Sequence, residues 1–103
     1  MQTFGLEQEL IDTINTIFLE NKKIEKVLIF GSRAKGNFIT GSDIDLALIG
    51  ENISHEDIIN IKLAIDDIAL LYSVDIVAYN DVKNTPIGDH IKRIGKIFYI
   101  RER

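Results

Sequence analysis

The sequence predicts an α/β (α+β) fold, a small mixed β-sheet with helices packed mainly on one face. Two observations predict it. Short apolar runs closed by Gly or by Asn-Asp read as buried strands. Longer stretches with apolar residues at a 3.6-residue rhythm read as helices and alternate with those runs.

Leu6, Leu10, Ile11, Ile14, Ile17 and Phe18 recur at helical spacing, with Glu7, Glu9, Asp12 and Asn15 opposite them; this first helix should end near Asn21. Lys26 to Phe30 is an apolar strand closed by Gly31, followed by a short segment that can be helical. Asp45 to Ile49, closed by Gly50, repeats the strand pattern. A helix should then begin at Ser54, where Asp57 three residues on completes a capping box with Asp in place of the usual Glu or Gln. Ile58, Ile61, Ile65, Ile68 and Tyr72 keep its rhythm. Val74 to Tyr79, closed by Asn80-Asp81, is a third strand. Thr85 and Pro86 suit the cap and first position of a last helix, lined by Ile87, Ile91 and Ile94 and ended by Gly95. Ile97 to Ile100 reads as a short strand or an extended tail. Strand-helix-strand units favour parallel pairing, but the short link from Phe30 to Asp45 leaves that first pairing open.

The 103 residues suit one domain, 1–103, with one aliphatic core, since Ile is abundant and Trp absent. No apolar run is long enough to span a membrane, and the first residues lack the basic start of a signal peptide. With no cysteine there is no disulfide framework and no thiolate metal site. These features are compatible with a cytoplasmic location. A net charge of −4 argues against a broad nucleic-acid surface. Charge is uneven, however: Lys92, Arg93, Lys96, Arg101 and Arg103 face only Glu102, a solvated basic end or a docking face for acidic groups. His55 and His90 show no metal-ligand spacing. Phe38 and Ile39 form an apolar pair in a loop, either tucked into the core or exposed for a partner. Tyr72, Tyr79 and Tyr99 are expected in the core or at its rim.

The chemistry is concentrated between Phe30 and Leu46. Asp43 and Asp45, two apart on a strand, turn their carboxylates to the same side. Two like charges so close are unfavourable unless a cation lies between them, and hard oxygen ligands suit Mg²⁺. Gly31-Ser32 follows a strand and opens the short segment, where close backbone approach and amides favour phosphate. Asp75 is a charge in an otherwise apolar strand, costly unless it serves a site or finds a partner. Each feature has a bland explanation alone: a solvated edge, a strand-ending turn, an ion pair. Together they describe a phosphate cradle beside a cluster of acids.

Gly31-Ser32, ten intervening residues, then Asp43-Ile44-Asp45, with a later Asp75 on an apolar strand, resembles the polymerase β nucleotidyltransferase superfamily. The fuller string, Gly31-Ser32-Arg33-Ala34 and Ser42-Asp43-Ile44-Asp45-Leu46, is similar to its minimal nucleotidyltransferase (MNT) branch, the MntA-type antitoxins paired with HEPN proteins. The likeness extends over nearly the whole chain. It implies the nucleotidyltransferase fold, ATP as donor and two Mg²⁺ ions held by Asp43, Asp45 and Asp75, with Asp75 also helping to deprotonate the attacking hydroxyl. It further implies that Gly31 and Ser32 hold the leaving phosphates. Arg33 is a candidate phosphate contact or a structural ion pair, Ser42 a cap for the turn or a nucleotide contact, and Lys35 a surface residue within reach of phosphate. The chain has no room for the extra domain that shapes the acceptor site in larger relatives, so a partner should complete it, in a homo- or hetero-oligomer. The resemblance implies a HEPN RNase toxin adenylylated on a tyrosine. Two alternatives stand beside this: a non-catalytic antitoxin that covers its partner, and the catalytic half of a split, aminoglycoside-like nucleotidyltransferase.

Overall fold

The computed structural model describes residues 2–102, so Arg103 of the basic end lies outside the described residues. Two short strands, β1 (Gln2–Thr3) and β2 (Leu6–Glu7), pair antiparallel and lead directly into α1 (Gln8–Glu20). The chain continues through β3 (Lys26–Phe30), α2 (Gly31–Lys35), β4 (Ile44–Ile49), α3 (His55–Ile68), β5 (Val74–Ala78), α4 (Tyr79–Val82), α5 (Pro86–Ile94) and β6 (Lys96–Ile100). The last four strands to be named in the main sheet lie in the order β5-β4-β3-β6.

The pairing left open by the sequence is antiparallel: β3 and β4 run in opposite directions, with Phe30 opposite Asp45. The link between them holds only a five-residue helix and a turn, too little to carry the chain back to the starting end of β3. The 14-residue α3 does make such a return, and β4 and β5 are parallel. Ile97 to Ile100 belongs to a strand rather than a tail, with β6 antiparallel along the other side of β3.

Alternation along the strands divides the core in two. On one face Val27, Ile29, Ile44, Leu46, Leu48 and Val74 pack with Ile11, Ile14 and Phe18 of α1 and Ile61 and Ile65 of α3. Fully burying each Ile or Leu there contributes about 1.5–3 kcal/mol. On the other face Phe30 and Ala47 meet Ile91 of α5, with Val77, Tyr79 and Val82 at the edge of this smaller cluster. The larger helical layer is therefore on one face, and α4 and α5 cover part of the other.

Local signals account for the boundaries. Ser54 Oγ accepts from the Asp57 amide while Asp57 Oδ2 accepts from the Ser54 amide, the reciprocal capping box the sequence proposed. Thr85 caps α5 and Pro86 takes its first turn. Two expected boundaries shift. Leu6 precedes the first helix, buried in β2, and Tyr79 opens α4 instead of closing a strand. Helix α3 stops at Ile68, four residues short of Tyr72, leaving Leu70 and Leu71 exposed.

Arg101, counted from sequence among the basic end, is a structural residue. Its guanidinium donates to the carbonyls of Phe18, Leu19, Ile24 and Asn21 at 2.8–3.2 Å. It thereby satisfies carbonyls that the end of α1 leaves without helical partners. Lys92, Arg93 and Lys96 are exposed. Among the described residues no helix is long and apolar enough to cross a membrane.

Candidate active site

Three strand ends meet on the α5 face of the sheet. Phe30 ends β3, Asp45 is the second residue of β4 and Asp75 the second of β5. Register puts Phe30 opposite Asp45 and Asp45 opposite Asp75. By alternation, Asp45 and Asp75 point to the face that carries Ala47 and Val77. Asp43 lies one residue before β4, exposed, and Asp75 is exposed as well; Asp45 is half-buried between them.

The electrostatics follow from that crowding. Asp45 has its pKa raised above the ordinary 3.8, first by partial burial, then by the negative charges of Asp75 and Asp43. Among the described residues, no three carboxylate or imidazole side chains stand close enough to hold a metal ion as they are. Mg²⁺, however, usually takes one or two carboxylates and completes its shell with water and substrate phosphates. Asp45 beside Asp75 supplies such a hard-oxygen pair, and a cation there would relieve the repulsion that raises Asp45. The donor set therefore fits Mg²⁺.

Gly31 turns the chain from β3 into α2 at φ +71°, a region that L side chains rarely adopt. It also has no room for one, since a β-carbon would collide with Asp45 Oδ2. The backbone of the Gly-Ser turn thus forms the wall behind the Asp45 carboxylate. Half-buried Ser32 follows in the first turn of α2, and Gly36 closes the helix in the left-handed conformation at φ +89°.

Arg33 corrects the candidate list. It is only 2% exposed, and its guanidinium donates to the Ser42 carbonyl at 2.9 and 3.1 Å and to the Phe4 carbonyl at 2.9 Å. The rings of Phe38 and Tyr72 each lie 5.2 Å from its charged carbon. Its partners are carbonyls and aromatic faces rather than an acid or an open phosphate site. What Arg33 does is hold the loop that delivers Asp43 to the site. Ser42 belongs to the same loop, where its Oγ accepts from the Ile39 amide at 2.9 Å and closes a turn. In the apolar pair, Phe38 packs half-buried on Arg33 whereas Ile39 is 75% exposed.

The sequence reading missed His90. Its Nε2 accepts the Gly31 amide at 3.1 Å, and its ring meets Phe30 edge-on at 6.0 Å. The only sequence signal was its place beside Ile91 on the helix begun by Thr85-Pro86, which is too indirect to single it out.

A four-stranded mixed sheet carrying five helices in this order is the architecture of a nucleotidyltransferase. The family model described as polymerase beta, nucleotidyltransferase matches residues 12–103, and the chain belongs to that family. No curated protein is significantly similar in sequence. Among solved structures, a toxin–antitoxin with AMP-PNP superposes with a TM-score of 0.73 at 21% identity, over 89% of this chain and 74% of that one. The MntA-HepT toxin–antitoxin gives 0.69 at 20% identity, over 92% and 74%. A complex of tri-AMPylated Shewanella oneidensis HEPN toxin with MNT antitoxin gives 0.70 at 18% identity, over 93% and 74%. At such identities the likeness concerns the fold.

Proposed function

We propose that this chain acts as a minimal nucleotidyltransferase that moves AMP from ATP to a tyrosine hydroxyl of a HEPN-class toxin, and so serves as its antitoxin. The observation that carries the reading is the meeting of Asp45 with Asp75 beside the Gly31 wall, in a chain of the polymerase beta nucleotidyltransferase family. The similarity to MNT antitoxin bound to AMPylated HEPN toxin supports the choice of acceptor. A cytoplasmic location is part of the same reading, since ATP is the donor.

Asp43, Asp45 and Asp75 would hold Mg²⁺. When bound, the metal ions stabilise charge on the attacking and leaving oxygens of an in-line displacement at phosphorus. The chain's own residues do the rest. Ser32 and the turn it opens face the phosphates, the Gly31 amide being engaged by His90, and the loop fixed by Arg33 brings Asp43 to the site. The tyrosine oxygen forms a bond to the α-phosphorus as the bond to the β-phosphate oxygen breaks. Pyrophosphate leaves, and the hydroxyl proton passes to Asp75. This chemistry depends on positioning and charge more than on a covalent enzyme intermediate.

The test is incubation with ATP labelled at the α-phosphate, Mg²⁺ and the product of the neighbouring gene, with an aminoglycoside added in a parallel sample. Label on a partner tyrosine is the expected result. A tight complex without label would overturn the proposal in favour of a non-catalytic antitoxin. Label found only on an added aminoglycoside would overturn it in favour of a split small-molecule enzyme.

A further inference from the structure

We infer that His90 is a positioning residue of this site, fixing the Gly31 peptide and, through it, the Asp45 carboxylate. The inference rests on the reading above that Asp45 serves as a metal ligand.

The Gly31 amide donates to His90 Nε2 at 3.1 Å across 59 positions of sequence, so the bond ties α5 to the turn between β3 and α2. An imidazole nitrogen that accepts a hydrogen bond carries no proton, so the neutral ring keeps its proton on Nδ1. The ring is further held edge-on by Phe30, the residue before Gly31. Gly31 needs such a hold. It occupies a backbone region with little intrinsic restraint, at φ +71°, and glycine is the residue with the most freedom to leave it. Its α-carbon stands directly against Asp45 Oδ2, with no space for a methyl group between them. A shift of the Gly31 peptide therefore moves the wall on which that oxygen rests. His90 binds the Gly31 backbone amide, so its hold on Asp45 runs through the backbone.

Groups that orient a metal ligand commonly matter about 10–100-fold in metal affinity or activity when removed. His90→Ala should lower kcat/KM by about that factor. His90→Gln, whose side-chain oxygen reaches about as far as Nε2, should recover most of the loss.

The deciding experiment needs no turnover. In ¹⁵N-labelled protein free of metal and nucleotide, a scalar coupling across the hydrogen bond should link the Gly31 amide to His90 Nε2. Hydrogen exchange at Gly31 should quicken in His90→Ala and stay slow in His90→Gln, and Mg²⁺ affinity, read from amide shifts near Asp45, should weaken only in His90→Ala. If His90→Ala does not fold, His90→Asn, too short to reach Gly31, replaces it. No coupling in the parent, or Gly31 exchange and Mg²⁺ affinity unchanged in the short variant, would overturn the inference. A parent that transfers no nucleotide yet shows these spectral effects would instead count against the proposed function alone.

Discussion

Asp45 and Asp57 are both acids at the start of an element, and the chain treats them in opposite ways. Asp57, in the first turn of α3, accepts from Lys23 at 2.8 Å, from the Ser54 amide at 2.8 Å and from Asn21 at 3.2 Å. The Lys23 ammonium first, and then the Ser54 amide, hold its pKa well below the ordinary range. Asp45 is half-buried, pressed by Asp75 and Asp43, and its pKa is pushed up. One acid is satisfied by folding. The other is left in a conflict that folding alone does not resolve, and such conflicts gather at functional sites.

The largest expected effect that tests this contrast is on catalysis. Asp45→Asn should cost on the order of 10²-fold or more in transfer rate, with the fold retained. Its melting temperature in metal-free buffer should equal or exceed the parent's, because a repelled charge is gone. Asp57→Asn should do the reverse, leaving transfer near the parent rate and lowering Tm by several degrees through loss of the ion pair and part of the cap.

Gly31→Ala comes next, because it strains the backbone and intrudes on Asp45 Oδ2 together. It should cost about 1–3 kcal/mol of stability in a denaturant melt, and most of the transfer. A Gly31→Ala protein as active as the parent would show that the wall behind Asp45 has no bearing on the chemistry.

The smallest effect is on the pH dependence of metal-free stability, and the two acids act with opposite sign. The folded pKa of Asp57 lies below its unfolded value of 3.8, so its stabilising contribution is present above that value and is lost as pH falls below it. The folded pKa of Asp45 lies above 3.8, so its contribution is full below 3.8 and fades as pH rises through the raised value. Denaturant melts from pH 3 to 7 should show Asp57→Asn flattening the acid limb and Asp45→Asn removing a decline on the way to neutral pH.

Much of this was legible in the sequence because the signals are local. The strand runs around Phe30, Leu46 and Val74, the Ser54–Asp57 box and the Thr85-Pro86 start each declare themselves within a few residues, and Asp43 and Asp45 share a short motif with Gly31 and Ser32. What was not legible depends on distant partners. Arg33 reads as a phosphate contact or an ion pair until Phe4 and Tyr72, far away in the chain, are seen to enclose it. Arg101 reads as one of several surface cations until the end of α1 is placed beside it. His90 has no motif of its own, and its bond to Gly31 exists only because α5 packs on the Asp45 face. The parallel register that sets Asp75 against Asp45 likewise follows from the length of α3 rather than from either residue.

The central claim, that the conflicted acid is the one that works, is tested most directly by initial rates of label transfer from α-labelled ATP, in Mg²⁺, to the proposed HEPN-class partner. Parent, Asp45→Asn and Asp57→Asn are measured side by side. The expected result is loss of transfer in Asp45→Asn alone. Equal rates in parent and Asp45→Asn, with label on the partner, would contradict it.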